Sequence, residues 1–291
     1  YNAAGLPLKT AGKNTYASEH QYSAYGETLR LTLGVSPLPV WLNNTYAEGT
    51  RRLENTSVQT GGPSGTVESS VDYSYDHAGN ITKMAQTASR SAESQCFTYD
   101  HLRRLSSAWT PSTGDCSAAK ARDKLGGPAP YWHDFTYDRA GNRATQVQHT
   151  TSGDITETYD VPLSGPNSVR PHSLTAVNRS GPNGTSKDEY TYDAGGNVIS
   201  RKVGGNTQTL EWNAEGRVSK VTEANGTTSE YLYDSGGSRL IKREAKVNIL
   251  YLPGHEVILT KATKAVTAKR YYSHGGAGVA MRLSVGDDLQ W

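Results

Sequence analysis

The chain has 291 residues, with 30 lysines and arginines against 28 aspartates and glutamates, and a mean hydropathy of −0.65. No apolar run approaches the roughly 18–20 residues of a spanning helix, and a net charge of +2 with 18 tyrosines and 5 tryptophans excludes disorder driven by charge. Thirty glycines and 12 prolines without long helix-like stretches predict a turn-rich, all-β chain.

No basic and apolar leader follows Tyr1, and the chain closes on Asp287-Asp288-Leu289-Gln290-Trp291, so it reads as an excerpt of a longer polypeptide. A repeat begins weakly over residues 1–70, in Tyr1-Asn-Ala-Ala-Gly5, Tyr22-Ser-Ala-Tyr-Gly26 and the shorter Tyr46-Ala-Glu-Gly49. Between them Leu31–Leu42 is the most apolar stretch, and Pro37 and Pro39 argue against a helix there. Clear copies fill residues 71–245: Tyr75-Asp76-His77-Ala78-Gly79-Asn80, Tyr137-Asp138-Arg139-Ala140-Gly141-Asn142 and Tyr192-Asp193-Ala194-Gly195-Gly196-Asn197. Trp212 with Gly216, and Tyr233 with Asp234 and Gly237, keep the spacing, while Tyr99-Asp100 puts Arg103 in the glycine's place.

The spacing has a mechanical meaning. Asp is favoured at the first position of a type I turn, and a left-handed Gly three residues later closes a three-residue hairpin loop with a bulge. Asp76, Asp138, Asp193 and Asp234 would start such turns, and Gly79, Gly141, Gly196, Gly216 and Gly237 would close them. Each aromatic should then face the residue six positions on: Tyr75/Ile81, Tyr99/Leu105, Tyr192/Val198, Trp212/Val218, and, with a guanidinium laid on the ring, Tyr137/Arg143 and Tyr233/Arg239. Two residues before the aromatic stand Tyr73, Phe97, Phe135, Tyr190, Leu210 and Tyr231, on the same face by the period of two. Only a stack of hairpins could bury that face, which predicts one continuous array over residues 1–291.

Two interruptions are expected to be loop excursions, at 110–131 and at 160–188, the latter carrying Pro162, Pro166, Pro171 and Pro182. Cys96 and Cys116 match no zinc spacing. In a loop-rich chain read as extracellular, a disulfide pinning the first excursion to its own hairpin is favoured over two free thiols.

The Tyr-Asp-x-x-Gly-Asn copies resemble the YD repeats of the RHS family, which includes bacterial polymorphic toxins, the cocoon component of Tc toxins, and teneurins. Residues 246–291, with Tyr251-Leu252-Pro253-Gly254-His255-Glu256-Val257, Arg270-Tyr271-Tyr272 and Gly275-Gly276 to Arg282, are similar to the segment just upstream of the family's core. The resemblance spans essentially the whole chain and is most specific over 71–282. It implies antiparallel hairpins wound into part of a spiral β-sheet shell around a C-terminal toxin or effector. The partners would be the rest of the polypeptide, namely an RHS core and that cargo. Core and cargo would follow Trp291, so cleavage and toxin activity do not carry over.

Chemistry is sparse in the remaining residues. The eight histidines show no metal-ligand spacing, and the turn role accounts for the regularly placed aspartates without catalysis. Gly195-Gly196 and Gly236-Gly237 precede strand-like residues, not a helix that could cradle phosphate, and Ser64 lacks a nucleophile-elbow pattern. Residues 195–291 hold 13 basic against 9 acidic side chains, alternating with apolar ones, which favours a solvated strand face over a nucleic-acid groove. No enzyme, cofactor or metal is therefore expected. Two functions stand: a secreted or cell-surface structural shell segment, and, as the alternative, an adhesion module whose aromatics bind glycans.

Overall fold

A computed structural model describes residues 1–88, 91–165, 169–285 and 288–290. It is a chain of antiparallel strands, with two single-turn 3-10 helices as its helical elements among the described residues. These residues form two compact units: residues 1–136, 146–155 and 272–280, and residues 137–145, 156–271 and 281–291.

In the first unit, β1 (Thr10–Ala11), β2 (Thr15–Tyr22), β3 (Thr28–Leu33), β4 (Val40–Tyr46) and β5 (Leu53–Thr60) pair consecutively. The series continues through β6 (Thr66–Tyr75), β7 (Ile81–Ala88), β8 (Ser91–Tyr99), β9 (Leu105–Trp109) and β10 (Trp132–Tyr137). The residues of β11 (Arg143–Thr150) and β12 (Gly153–Asp160) are divided between the two units. In the second unit follow β13 (Ala176–Gly181), β14 (Gly184–Tyr192), β15 (Val198–Val203), β16 (Asn206–Trp212) and β17 (Val218–Thr222). Then come β18 (Thr228–Tyr233), β19 (Arg239–Glu244), β20 (Val247–Leu252), β21 (His255–Thr260) and β22 (Val266–His274), again each beside the last, with the final residues of β22 from Tyr272 on belonging to the first unit. β23 (Ala277–Val285) and β24 (Asp288–Gln290) close the series.

From β1 to β10, from β12 to β22 and between β23 and β24, each strand pairs with its sequence neighbour, so those ladders are closed by short-range antiparallel pairing. Burial is uneven. Tyr16, Ala17, Leu31, Cys96, Ala108, Trp109 and Tyr272 are buried in the first unit, whereas among the described residues of the second Ala176 is the buried apolar one. There β16 and β18 alternate exposed and half-buried positions, as a sheet does when one face is drier than the other.

The second excursion is shorter than the proline content predicts. The described residues 161–165 and 169–175 are irregular, whereas residues 176–181 and 184–188 lie in β13 and β14, with Gly181 paired to Gly184. Pro182 is no obstacle because it stands in the two-residue loop, where no ladder donor is needed. Pro166 lies outside the described residues.

Candidate functional site

The repeated turn is the most elaborated local feature. In the first clear copy the Gly79 amide donates to the Asp76 carbonyl at 3.1 Å and the Asp76 amide donates to the Asn80 carbonyl at 3.0 Å. The same pair of bonds closes the loops at Asp138, Asp193 and Asp234. Gly79, Gly141, Gly196, Gly216 and Gly237 have φ of 94°, 92°, 88°, 70° and 84°, and Arg103 takes the left-handed region at 62°. A bulge falls immediately before Tyr75, Tyr99, Tyr192, Trp212 and Tyr233, which face Ile81, Leu105, Val198, Val218 and Arg239.

The sixth motif position has a role that reading the aromatic, Asp and Gly alone misses. Asn80 donates its amide to Asp76 Oδ1 at 2.9 Å and its side-chain Nδ2 to Asp76 Oδ2 at 2.7 Å. Asn142 clamps Asp138 at 2.9 and 2.8 Å, and Asn197 clamps Asp193 at 2.9 and 2.9 Å. Arg104 substitutes with its amide and Nε on Asp100, at 2.9 and 2.7 Å. The side-chain bonds from Asn80, Asn142 and Asn197 hold the Asp76, Asp138 and Asp193 carboxyls below the usual carboxylate range. The recurring Gly-Asn dipeptide was the available signal.

A second pattern joins successive hairpins. Five motif aromatics donate a hydrogen bond backward, to a carbonyl of the preceding hairpin. Tyr46 Oη donates to Thr28, Tyr75 to Leu53 and Tyr99 to Ile81, at 3.2, 2.7 and 2.8 Å. In the second unit Trp212 Nε1 donates to Val198 at 2.9 Å and Tyr233 Oη to Val218 at 2.8 Å. Thr28, Leu53, Ile81, Val198 and Val218 are the residues that face the preceding aromatics Tyr22, Tyr46, Tyr75, Tyr192 and Trp212. Each bulge thus disturbs the ladder beside a carbonyl, and the next hairpin supplies a donor to it. Tyr192, which follows the second excursion, uses the Leu174 carbonyl instead, at 2.6 Å.

Arginines reinforce the sequence of turns. Arg52 donates to the Asp76 and His77 carbonyls at 2.9 and 3.2 Å and lies 5.6 Å from the Tyr75 ring centre. Arg217 donates to the Gly237 carbonyl and lies 5.5 Å from the Tyr233 ring. The guanidinium expected on Tyr233 from Arg239 is instead 4.2 Å from Tyr251, because its stem leads across to β20. Arg143 lies 5.2 Å from Tyr159 on β12.

Cys96, on β8, is joined to Cys116 by a disulfide with a Cα separation of 5.4 Å. The loop it closes folds back on the sheet: Lys83 donates to the Gly114 carbonyl at 2.6 Å, Pro111 bridges Leu125, and Trp109 and Thr110 are fully enclosed. Beneath it runs a chain of polar groups. Lys120 donates to Ser107 Oγ at 2.6 Å, and His149 stands between Asp134 and Asp154 at 2.9 and 2.7 Å, with Trp132 stacked on it at 3.8 Å. Arg122 completes the chain on Asp154. Burial opposes ionisation of Asp134, but bonds from Ser107, His149 and Trp132 hold its carboxyl below the usual range. A cavity of about 450 Å³, lined by Arg122, Tyr131, Trp132, His133 and His149, opens beside it. Ser107 is only 4% exposed. Among the described residues no group of three or more His, Cys, Asp or Glu side chains is placed to hold a metal ion, and no helix is long and apolar enough to cross a membrane.

Turns, rungs and guanidinium links define the class: an all-β array of antiparallel hairpins turned on Tyr-Asp-x-x-Gly motifs. No family model matches the chain. It is 26% identical over 294 residues to the toxin subunit YenC1 of Yersinia entomophaga, a match covering 88% of this chain and 29% of the relative. Its fold is similar to a Photorhabdus luminescens Tc holotoxin pore structure, with a TM-score of 0.63 at 21% identity over 93% of this chain and 14% of the other. It is likewise similar to TcdB2-TccC3 without its hypervariable C-terminal region, with a TM-score of 0.63 at 20% identity over 93% of this chain and 14% of that one. These likenesses, to a toxin subunit in sequence and to Tc toxin structures in fold, agree with the resemblance of the Tyr-Asp-x-x-Gly-Asn copies to the YD repeats of the RHS family.

Proposed function

We propose that the chain is a non-catalytic wall segment of a secreted RHS protein, contributing sheet to a shell that encloses a C-terminal toxin or effector. The observation that carries this reading is the commitment of the motif aromatics to backward hydrogen bonds between hairpins, Tyr99 to Ile81 and Tyr233 to Val218 among them. Such residues extend a continuous sheet and are not free to bind or react. The similar toxin subunit supports the same role, and the partners would be an RHS core and its cargo. Nothing comparable supports the glycan-binding alternative. The test compares the polypeptide that carries this chain with a version lacking residues 192–271, under added protease. The intact protein should shield its cargo and the deleted one should expose it; equal shielding in both would overturn the reading.

A further inference from the structure

Two histidines 254 residues apart in sequence meet inside the first unit. His20 Nδ1 on β2 lies 2.8 Å from His274 Nε2 at the end of β22. The residues are 8% and 3% exposed. His20 Nε2 is 2.9 Å from Thr28 Oγ1 on β3, and His274 Nδ1 is 2.9 Å from Thr10 Oγ1 on β1. Tyr22 Oη donates to the Pro7 carbonyl at 2.7 Å and lies 2.6 Å from His20 Nδ1. Close by, Tyr272 stacks on Tyr16 at 4.3 Å, and the Gly12 backbone passes under both rings, where an added Cβ would come within 2.9 Å of each. The contact therefore fastens the strand end Tyr272–His274 to residues 7–28.

Proton counting decides what this fastening does. The line between His20 Nδ1 and His274 Nε2 holds one hydrogen, so one nitrogen must accept. A single extra proton can be absorbed at an outer nitrogen, because the Thr10 or Thr28 hydroxyl rotates to accept. A second puts N–H against N–H at 2.8 Å with two like charges in contact, and the contact must part. Among the described residues the ring nitrogens touch hydroxyls and each other, with no carboxylate to balance the charge. The neighbouring acids are engaged elsewhere: Glu19 accepts from Gln21, and Glu27 is held by Arg51 and Ser23. Tyr22, the other titratable group facing the pair, has its hydroxyl pushed up by burial and stays neutral.

We propose that the His20–His274 pair is an acid-released latch, closed at neutral pH and opened by double protonation, which frees the Tyr272–His274 strand end from β1 and β2. Burial lowers both imidazoles from the usual histidine range, and the charge of His274 lowers His20 further. With the folded pKa below the unfolded one, the latch holds fully above about pH 6.5 and weakens as pH falls below it. Each proton taken up on opening raises the open population about tenfold per pH unit.

The test is hydrogen exchange from pH 7.5 to 5.0, corrected for intrinsic rate. Protection over residues 7–22 and 270–276 should fall about tenfold or more per pH unit below 6.5, while the hairpins of residues 190–245 hold. His274→Gln, which keeps a neutral hydrogen-bonding side chain, should flatten that dependence. Ring titration by NMR in the unaltered protein is independent of the variant's folding. Both histidines should titrate below the free value, and titration near 6.5 by both, or acid loss spread evenly over both regions, would overturn the latch.

Discussion

Tyrosine outnumbers phenylalanine 18 to 2, and the rungs give a physical reason. A phenyl ring could fill the half-buried aromatic face, but it could not donate to the carbonyl beside the previous bulge. Tyr99→Phe should therefore cost about 1 kcal/mol through the lost bond to Ile81. Tyr25→Phe, at a ring 75% exposed, should leave the unfolding midpoint unchanged. Chemical denaturation of the two variants side by side checks this. The turn glycines separate two costs that a sequence cannot distinguish. At Gly196 an added Cβ meets nothing within 4 Å, so Gly196→Ala should cost only the left-handed backbone strain of about 1–2 kcal/mol. At Gly237 the same Cβ would fall 1.7 Å from Arg217 Nη2, so Gly237→Ala should destabilise more and displace the guanidinium from the Gly237 carbonyl.

At the scale of the hairpin, the pH response divides into two windows. The Asp76, Asp138 and Asp193 carboxyls are lowered in the folded state, so the stability they lend is complete above the unfolded value near pH 4 and is lost as pH falls below it. Asp193→Asn should remove that turn's share of the acid loss in this window and leave behaviour between pH 5 and 7 untouched, as followed by thermal melts against pH. The loop closed by Cys96 and Cys116 gives a further expectation. With a sequence separation of 20, its reduction should cost roughly 3 kcal/mol by chain-entropy reasoning and lower the melting temperature.

How much was legible follows the range of each interaction. The cross-strand partners of Tyr75, Tyr99, Tyr192 and Trp212 are set by six residues of local chain, so turn chemistry alone reaches them. The Asp–Asn clamp was equally local and was written in the Gly-Asn dipeptides. The β13–β14 hairpin was obscured because Pro182 reads as a breaker until its place in the loop is known. The rungs join residues 14–22 apart, and their acceptors are backbone carbonyls that leave no mark on composition. The His20–His274 contact spans 254 residues, and no local pattern encodes it.

At the scale of the whole molecule, serial hairpin pairing within each unit makes a sheet that grows by addition, successive hairpins joined through backbone, aromatic donors and, at Arg52 and Arg217, guanidinium. That suits the proposed role as a length of wall. Two of its polar groups are engaged internally: His149 lies between two aspartates, and Ser107 is enclosed under the disulfide loop. The most direct measurement is a cryo-EM reconstruction of the polypeptide that carries this chain together with its C-terminal cargo. The account predicts that β2–β22 form part of the wall of a closed chamber and that the cargo density lies inside it. A chain standing apart as an outward-projecting domain, with the cargo free in solvent, would contradict it.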